Sequence, residues 1–121
     1  MLVSDIEYHI VLIPCIEEIT PAMKKDLKYI VPDAVTHFQG RLLKMEVAQD
    51  RLYLRLNGPP DLSPIDIAST IISEVSSRLK RVHDTIKGYG DIFRDDYYVK
   101  TGARPKKEQI DDFILIAKNR I

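Results

Sequence analysis

The sequence predicts an α+β fold, an antiparallel four-stranded sheet with two packed helices plus a C-terminal helix. Three observations carry this expectation. Short apolar runs of period two alternate along the chain with longer runs of period three to four, and proline, glycine and capping hydroxyls mark the boundaries between them.

The run Tyr8-His9-Ile10-Val11-Leu12-Ile13, ended by Pro14, is rich in β-branched residues and apolar on both alternating faces, as expected of a strand in the middle of a sheet. Thr20 followed by Pro21 supplies a capping hydroxyl and a proline at the first helical position, and the helix should run to about Phe38, with Gly40 closing it. Pro32 removes a backbone donor inside that segment and should kink or split it. From Arg41 the period becomes two. Leu43, Met45 and Val47 alternate with Lys44, Glu46 and Ala48, Gln49-Asp50 turns the chain, and Leu52, Leu54 and Leu56 alternate with Arg51, Tyr53 and Arg55 until Asn57-Gly58-Pro59-Pro60. This pattern predicts a hairpin with one buried face. Ser63 and Pro64 open a second helix whose predicted core stripe is Ile65, Ala68, Ile72, Val75, Leu79, Val82 and Ile86. Gly88 and Gly90 end that region, Tyr97–Thr101 forms a short strand, Gly102 turns, and a third helix starts near Pro105 and runs to the C-terminus. Strand, helix, strand, strand, helix, strand, helix is the ferredoxin-like, split βαβ plan plus a terminal helix, in one domain over residues 1–121.

Composition narrows the function classes. A chain of 121 residues with 45% hydrophobic and 30% charged side chains can bury one core and is neither disordered nor collagen-like. Cys15 is the single cysteine, so no internal disulfide forms, and it reads as a small strand-end hydrophobe. No segment approaches a membrane span, and Asp5 and Glu7 stand where a signal peptide would be basic, so a cytoplasmic protein without membrane contact is expected. Lys and Arg total 18 against 18 Asp and Glu, a net charge of zero that lacks the basic excess of most nucleic-acid binders.

Four blocks in order resemble the single-tyrosine HUH transposases, the TnpA-type enzymes of small bacterial and archaeal insertion sequences. Tyr8-His9-Ile10-Val11 is similar to the family's first strand. Leu62-Ser63-Pro64-Ile65-Asp66-Ile67 with Ser76-Ser77-Arg78-Leu79 is similar to its second helix. Ile92-Phe93-Arg94-Asp95-Asp96-Tyr97-Tyr98-Val99-Lys100-Thr101-Gly102 resembles the strand leading to the last helix, and Ile110-Asp111-Asp112-Phe113 resembles that helix. The resemblance implies a homodimeric enzyme that nicks and joins single-stranded DNA beside an imperfect hairpin. In the family, two histidines of a His-hydrophobic-His triplet bind a divalent metal, a tyrosine on the last helix attacks the phosphate, and a glutamine one turn later helps hold the metal.

Carried onto this chain, that chemistry is missing. The family's Asp-His-hydrophobic-His-Leu block falls on Asp50-Arg51-Leu52-Tyr53-Leu54, so Arg51 and Tyr53 replace the imidazoles; the tyrosine position is Phe113 and the glutamine position Ala117. A guanidinium has no lone pair to offer a metal. No intact catalytic residue, no metal site and no cofactor are therefore expected at these former site positions. Arg51, Tyr53 and Arg55 share a strand face by period two, while Phe113 and Ala117 share a helix face. Ile110, Phe113, Ile114, Ala117 and Ile121 form an apolar stripe that could cover the former site or make a dimer contact.

The remaining candidates read as ordinary structure or as binding surface. Tyr53 is expected to stack on Phe113, and His9, His37 and His83 lack ligand spacing, with His9 read as a packed strand residue. Gly88-Tyr89-Gly90 reads as a helix terminator. Arg78, Lys80, Arg81 and Lys87 face only Asp84 in their stretch, while Arg94, Lys100, Arg104, Lys106 and Lys107 face Asp95 and Asp96, so each stretch is basic by three charges (four less one, five less two). Lys106 and Lys107 oppose the helix dipole at a helix start. These nine cations are the candidate contacts for hairpin or single-stranded DNA, set against a plain solvated surface. The expected function is thus a transposase-like protein without catalysis and with residual DNA binding. The alternatives are a protein interaction module acting by homodimerisation or by pairing with an intact transposase, a decayed gene product, and, ranked last, a metal nuclease with a relocated site.

Overall fold

A computed structural model of the chain describes residues 6–119. Strands β1 (Ile6–Leu12), β2 (Arg41–Ala48), β3 (Arg51–Gly58) and β4 (Tyr98–Thr101) form one sheet in the order β2-β3-β1-β4, with every neighbouring pair antiparallel. Helices α1 (Pro21–His37) and α2 (Pro64–Val82) cover one face, and α3 (Lys107–Lys118) lies on the other. This is the α+β, split βαβ arrangement that the alternation of periods predicts.

The two faces are built by alternation along the central strands. Tyr8, Ile10 and Leu12 of β1 and Leu52, Leu54 and Leu56 of β3 pack beneath α1 and α2. Val11, Ile13 and Tyr53 point the other way and are buried with Ile110, Ile114 and Ala117 of α3. The hairpin therefore does not have one buried face only: α3 covers the opposite side of β3 at Tyr53. The helix starts form as read, with Thr20 Oγ1 accepting from the Met23 N–H at 3.2 Å and Ser63 Oγ from the Asp66 N–H at 3.1 Å.

Several expectations need correction. Pro32 does not split α1, which is continuous from Pro21 to His37, because buried Ile30, Val31, Ala34 and Val35 hold both sides of the proline to the core. The residue with positive φ after this helix is Gln39, at 64°, and Gly40 is needed for space: a Cβ there would lie 2.4 Å from the Phe38 ring and 3.0 Å from the Asn57 carbonyl. On β2 a register shift between Leu42 and Lys44 places Leu42 beside the core with Met45 and Val47, where alternation had placed Leu43. In α2 the buried residues are Ile67, Ala68, Ile71, Ile72, Val75, Ser76 and Leu79, while Ile65 and Val82 are exposed. The expected stripe is thus out of phase at both ends. Ile86 is buried, but from a short 3₁₀ turn at Asp84–Ile86, after His83 has taken an extended conformation. Ser76 is admitted to the core because its hydroxyl accepts the Ile92 N–H at 2.9 Å. Cys15 is exposed rather than packed, just beyond the Pro14–Phe93 bridge that prolongs the sheet. Strand β4 begins at Tyr98, one residue later than expected. Ile121 of the predicted α3 stripe and Asp5 lie outside the described residues.

Candidate functional site

The face of the sheet beneath α3 collects the side chains that the resemblance singled out. Strand register sets them side by side: His9 opposes Arg55 and Lys100, Val11 opposes Tyr53 and Tyr98, and on the outer side Tyr53 opposes Glu46 and Arg51 opposes Ala48. Directly opposed residues share a face. Helix α3 covers the Val11, Tyr53 and Tyr98 end with Ile110, Ile114 and Ala117, and Phe113 packs at its margin. Glu7, His9, Lys44 and Arg55 are left at the other end, where with Tyr53 and Arg104 they line a hollow of about 320 Å³.

Arg51, Tyr53, Phe113 and Ala117 do come together. Arg51 donates from Nε to Asp50 Oδ1 at 3.1 Å and pairs through Nη2 with Asp111 Oδ1 of α3 at 2.7 Å. Tyr53 and Ala117 are in one buried cluster. The expected Tyr53–Phe113 stack is absent, because Phe113 meets Tyr98, with ring centroids 5.6 Å apart and planes inclined by 60°. The ring neighbours of Tyr53 are instead His9, at 6.0 Å and near parallel, and the Arg104 guanidinium, 4.7 Å above its centroid.

His9 is a packed strand residue, 2% exposed, and more. Its Nε2 lies 2.8 Å from the Gly102 carbonyl oxygen, which can only accept, so Nε2 carries a proton. In the neutral ring Nδ1 then accepts from the Tyr53 hydroxyl, 2.7 Å away. Burial pushes the Tyr53 phenol above its usual pKa, which keeps it protonated and hydrogen-bonded. Arg104 is tied by Nη2 to Glu46 Oε2 at 2.6 Å and closes the layer.

This donor set does not fit a metal. Arg51 is a cation engaged by two carboxylates, the Tyr53 hydroxyl is held by His9, and Phe113 and Ala117 have no ligand atom. Beside them a second hollow of about 500 Å³, lined by Glu46, Asp50, Arg51, Tyr53, Arg104, Lys107 and neighbours, mixes both charges with apolar wall. Asp50 illustrates the balance. Burial acts to raise its carboxyl, but the hydrogen bond and charge of Arg51 outweigh that and hold it below the usual range.

The nine cations do not form one patch. Arg78 and Arg81 line a cleft between α1 and α2, on the helix-covered side of the sheet, whereas Arg104 and Lys107 line the hollow beneath α3. Lys80 donates to the carbonyls of Tyr89 and Gly90 at 2.9 and 2.6 Å, Arg78 pairs with Asp33, Lys87 with Asp84, and Arg94 with Asp96. Among the described residues Arg81, Lys100, Lys106 and Lys107 make no ion pair. The Lys106 backbone N–H donates to Gln109 Oε1 at 2.9 Å, so the helix start is capped despite the two lysines.

A family model for IS200-like transposases matches residues 2–115. The chain belongs to the IS200-like transposase family. Among solved structures it is similar to a candidate transposase from Deinococcus radiodurans R1, with a TM-score of 0.85, 22% identity, and 95% of this chain and 92% of that one covered. It also resembles a REP-associated tyrosine transposase bound to a REP hairpin, with a TM-score of 0.59, 9% identity, and 93% of this chain and 65% of that one covered. At these identities the likeness is one of fold. No curated protein matches in sequence. In this IS200-like transposase fold no described helix is long and apolar enough to cross a membrane.

Sequence reasoning missed His9 and Arg104 as neighbours of Tyr53. His9 is 44 positions from Tyr53, and only the β1–β3 register, which no local pattern reveals, joins them. The one available signal was a histidine in the run Tyr8–Ile13, whose other residues are all core.

Proposed function

We propose that this IS200-like transposase family member is catalytically inactive and retains binding of hairpin or single-stranded DNA. The observation that carries the first half is the convergence of Arg51, Tyr53, Phe113 and Ala117 on one covered patch. If these are the family's metal-binding, nucleophile and glutamine positions, the two imidazoles have given way to an ion-paired guanidinium and a hydrogen-bonded phenol. The attacking hydroxyl and the last metal ligand have given way to hydrocarbon. No metal cofactor and no covalent step follow from such a set. The protein is taken as cytoplasmic, where its DNA would be met.

Residual DNA binding is supported by the cations that no carboxylate among the described residues holds. Lys100, Lys106, Lys107 and Arg81 are free to meet phosphates, while Arg78, Lys87, Arg94 and Arg104 must first leave an acidic partner. The REP-associated transposase, similar in fold, is bound to a DNA hairpin.

One observation favours a second reading, a homodimeric or transposase-pairing interaction module. Leu115 and Ile116 are 62% and 56% exposed on α3, beside a stripe already used inside the chain. Fluorescence anisotropy with a hairpin-bearing single strand at two salt concentrations separates the readings. DNA binding predicts affinity that weakens as salt rises and falls again in Lys106→Ala/Lys107→Ala; no binding at low salt, with a dimer in light scattering, would establish the interaction module in its place.

A further inference from the structure

A second cluster lies away from α3, on the outer surface of the helix layer. Asp33 and His37 are four residues apart at the C-terminal end of α1, and Glu74 reaches them from α2. One ligand atom from each lies within 4.8 Å of the others, and among the described residues no other group of three potential ligands does this. His37 Nδ1 contacts Glu74 Oε1, and His37 Nε2 is 3.8 Å from Asp33 Oδ2. The cluster sits in a cleft of about 860 Å³ that also holds Ser69, Ser73, Ser77 and Arg78.

We propose that Asp33, His37 and Glu74 form a divalent transition-metal site that clips α1 to α2, and that Arg78 occupies it when no metal is bound. One imidazole and two carboxylates are a donor set suited to zinc, with an open position for water. Ligand atoms in a tetrahedral zinc site are roughly 3.3 Å apart, given bonds of about 2.0–2.1 Å. Closing from the present spacing requires rotamer changes, since the two ring nitrogens of His37 face different carboxylates and one of them binds the ion. Asp33 and His37 are about half exposed and can make them, while Glu74, 22% exposed, is the fixed wall. The negative end of the α1 dipole adds negative potential at the same point. Arg78 Nη1 lies 2.5 Å from Asp33 Oδ2 and 4.0 Å from Glu74 Oε1, so a guanidinium already answers that potential and a metal must displace it.

This competition gives the proposal a direction that a chance surface cluster would not show. Isothermal titration of the full chain with zinc chloride should give a saturable isotherm of one ion per chain with micromolar affinity, and the same zinc should raise Tm. His37→Ala and the near-isosteric Glu74→Gln should each lose that isotherm while retaining the wild-type circular dichroism spectrum. Both variants keep Cys15, His9 and His83, so they report any binding by those groups. Arg78→Ala should bind zinc about two- to fivefold more tightly, the worth of an exposed ion pair. No saturable binding by the wild type, equal binding by His37→Ala and Glu74→Gln, or unchanged or weaker binding by Arg78→Ala would each overturn the proposal.

Discussion

The Tyr53 hydroxyl is buried under Arg104 and bonded to His9, so its removal should be felt as an unmet hydrogen bond rather than as lost volume. Tyr53→Phe leaves Nδ1 of the buried His9 without its hydrogen-bond partner, and we expect a loss of about 1–3 kcal/mol in urea denaturation. An unchanged midpoint would mean that water reaches the ring. The carboxylates around this face set an acid limit. Glu7 is held below its usual range chiefly by the Arg55 hydrogen bond; for Glu46 and Asp50 burial opposes, but hydrogen bonds from Lys44 and Arg104, and from Arg51, prevail. A folded pKa below the unfolded one gives stability that is present above the unfolded value, about 4, and is lost as pH falls through the folded value. Asp50→Asn should therefore flatten the decline of Tm below pH 4 and leave its slope between pH 6 and 8 unchanged. At this scale the sequence revealed residue types well and partners poorly: Arg51 and Tyr53 were legible as departures from a family pattern, but the Arg51–Asp111 and Tyr53–His9 contacts depend on packing across 60 and 44 positions (111 − 51, 53 − 9).

Helix boundaries were legible because capping is local chemistry, and Thr20, Ser63 and the prolines after them act within one turn. The phase of α2 was not. Ala68, Ile72, Val75 and Leu79 of the expected stripe are buried, but Ile67 and Ile71 are buried beside them while Ile65 and Val82 are exposed, and only the direction from which the sheet approaches decides those positions. A pair of substitutions tests the choice. Ile71→Ala should cost about 2–5 kcal/mol as a fully buried cavity mutation, while Ile65→Ala, 66% exposed in the wild type, should stay within about 0.5 kcal/mol. Equal costs would restore the stripe expected from periodicity. The continuity of α1 through Pro32 has the same origin: the buried residues on either side outweigh the local penalty of a proline inside a helix. Likewise the β2 irregularity at Leu42–Lys44 exchanged which leucine faces the core, which alternation by itself does not foretell.

Over the whole molecule the order of elements sufficed for the fold, since that order allows few antiparallel sheets, and the blocks that resembled a transposase spanned most of the chain that the family model matches. Net charge was less informative. The zero sum conceals carboxylates placed against particular cations, as Glu46 is against Arg104 and Asp33 against Arg78, so the basic stretches read along the chain are weaker in space than in sequence. What the arrangement leaves is a transposase fold whose α3 is packed on a patch of arginine, phenol and hydrocarbon. The central claim, that this patch performs no phosphoryl transfer, is tested most directly by incubating the protein with hairpin-bearing single-stranded DNA and magnesium or manganese. We predict neither a nick nor a covalent protein–DNA adduct in the wild type; a nick or adduct that persists when Phe113 is changed would contradict the account.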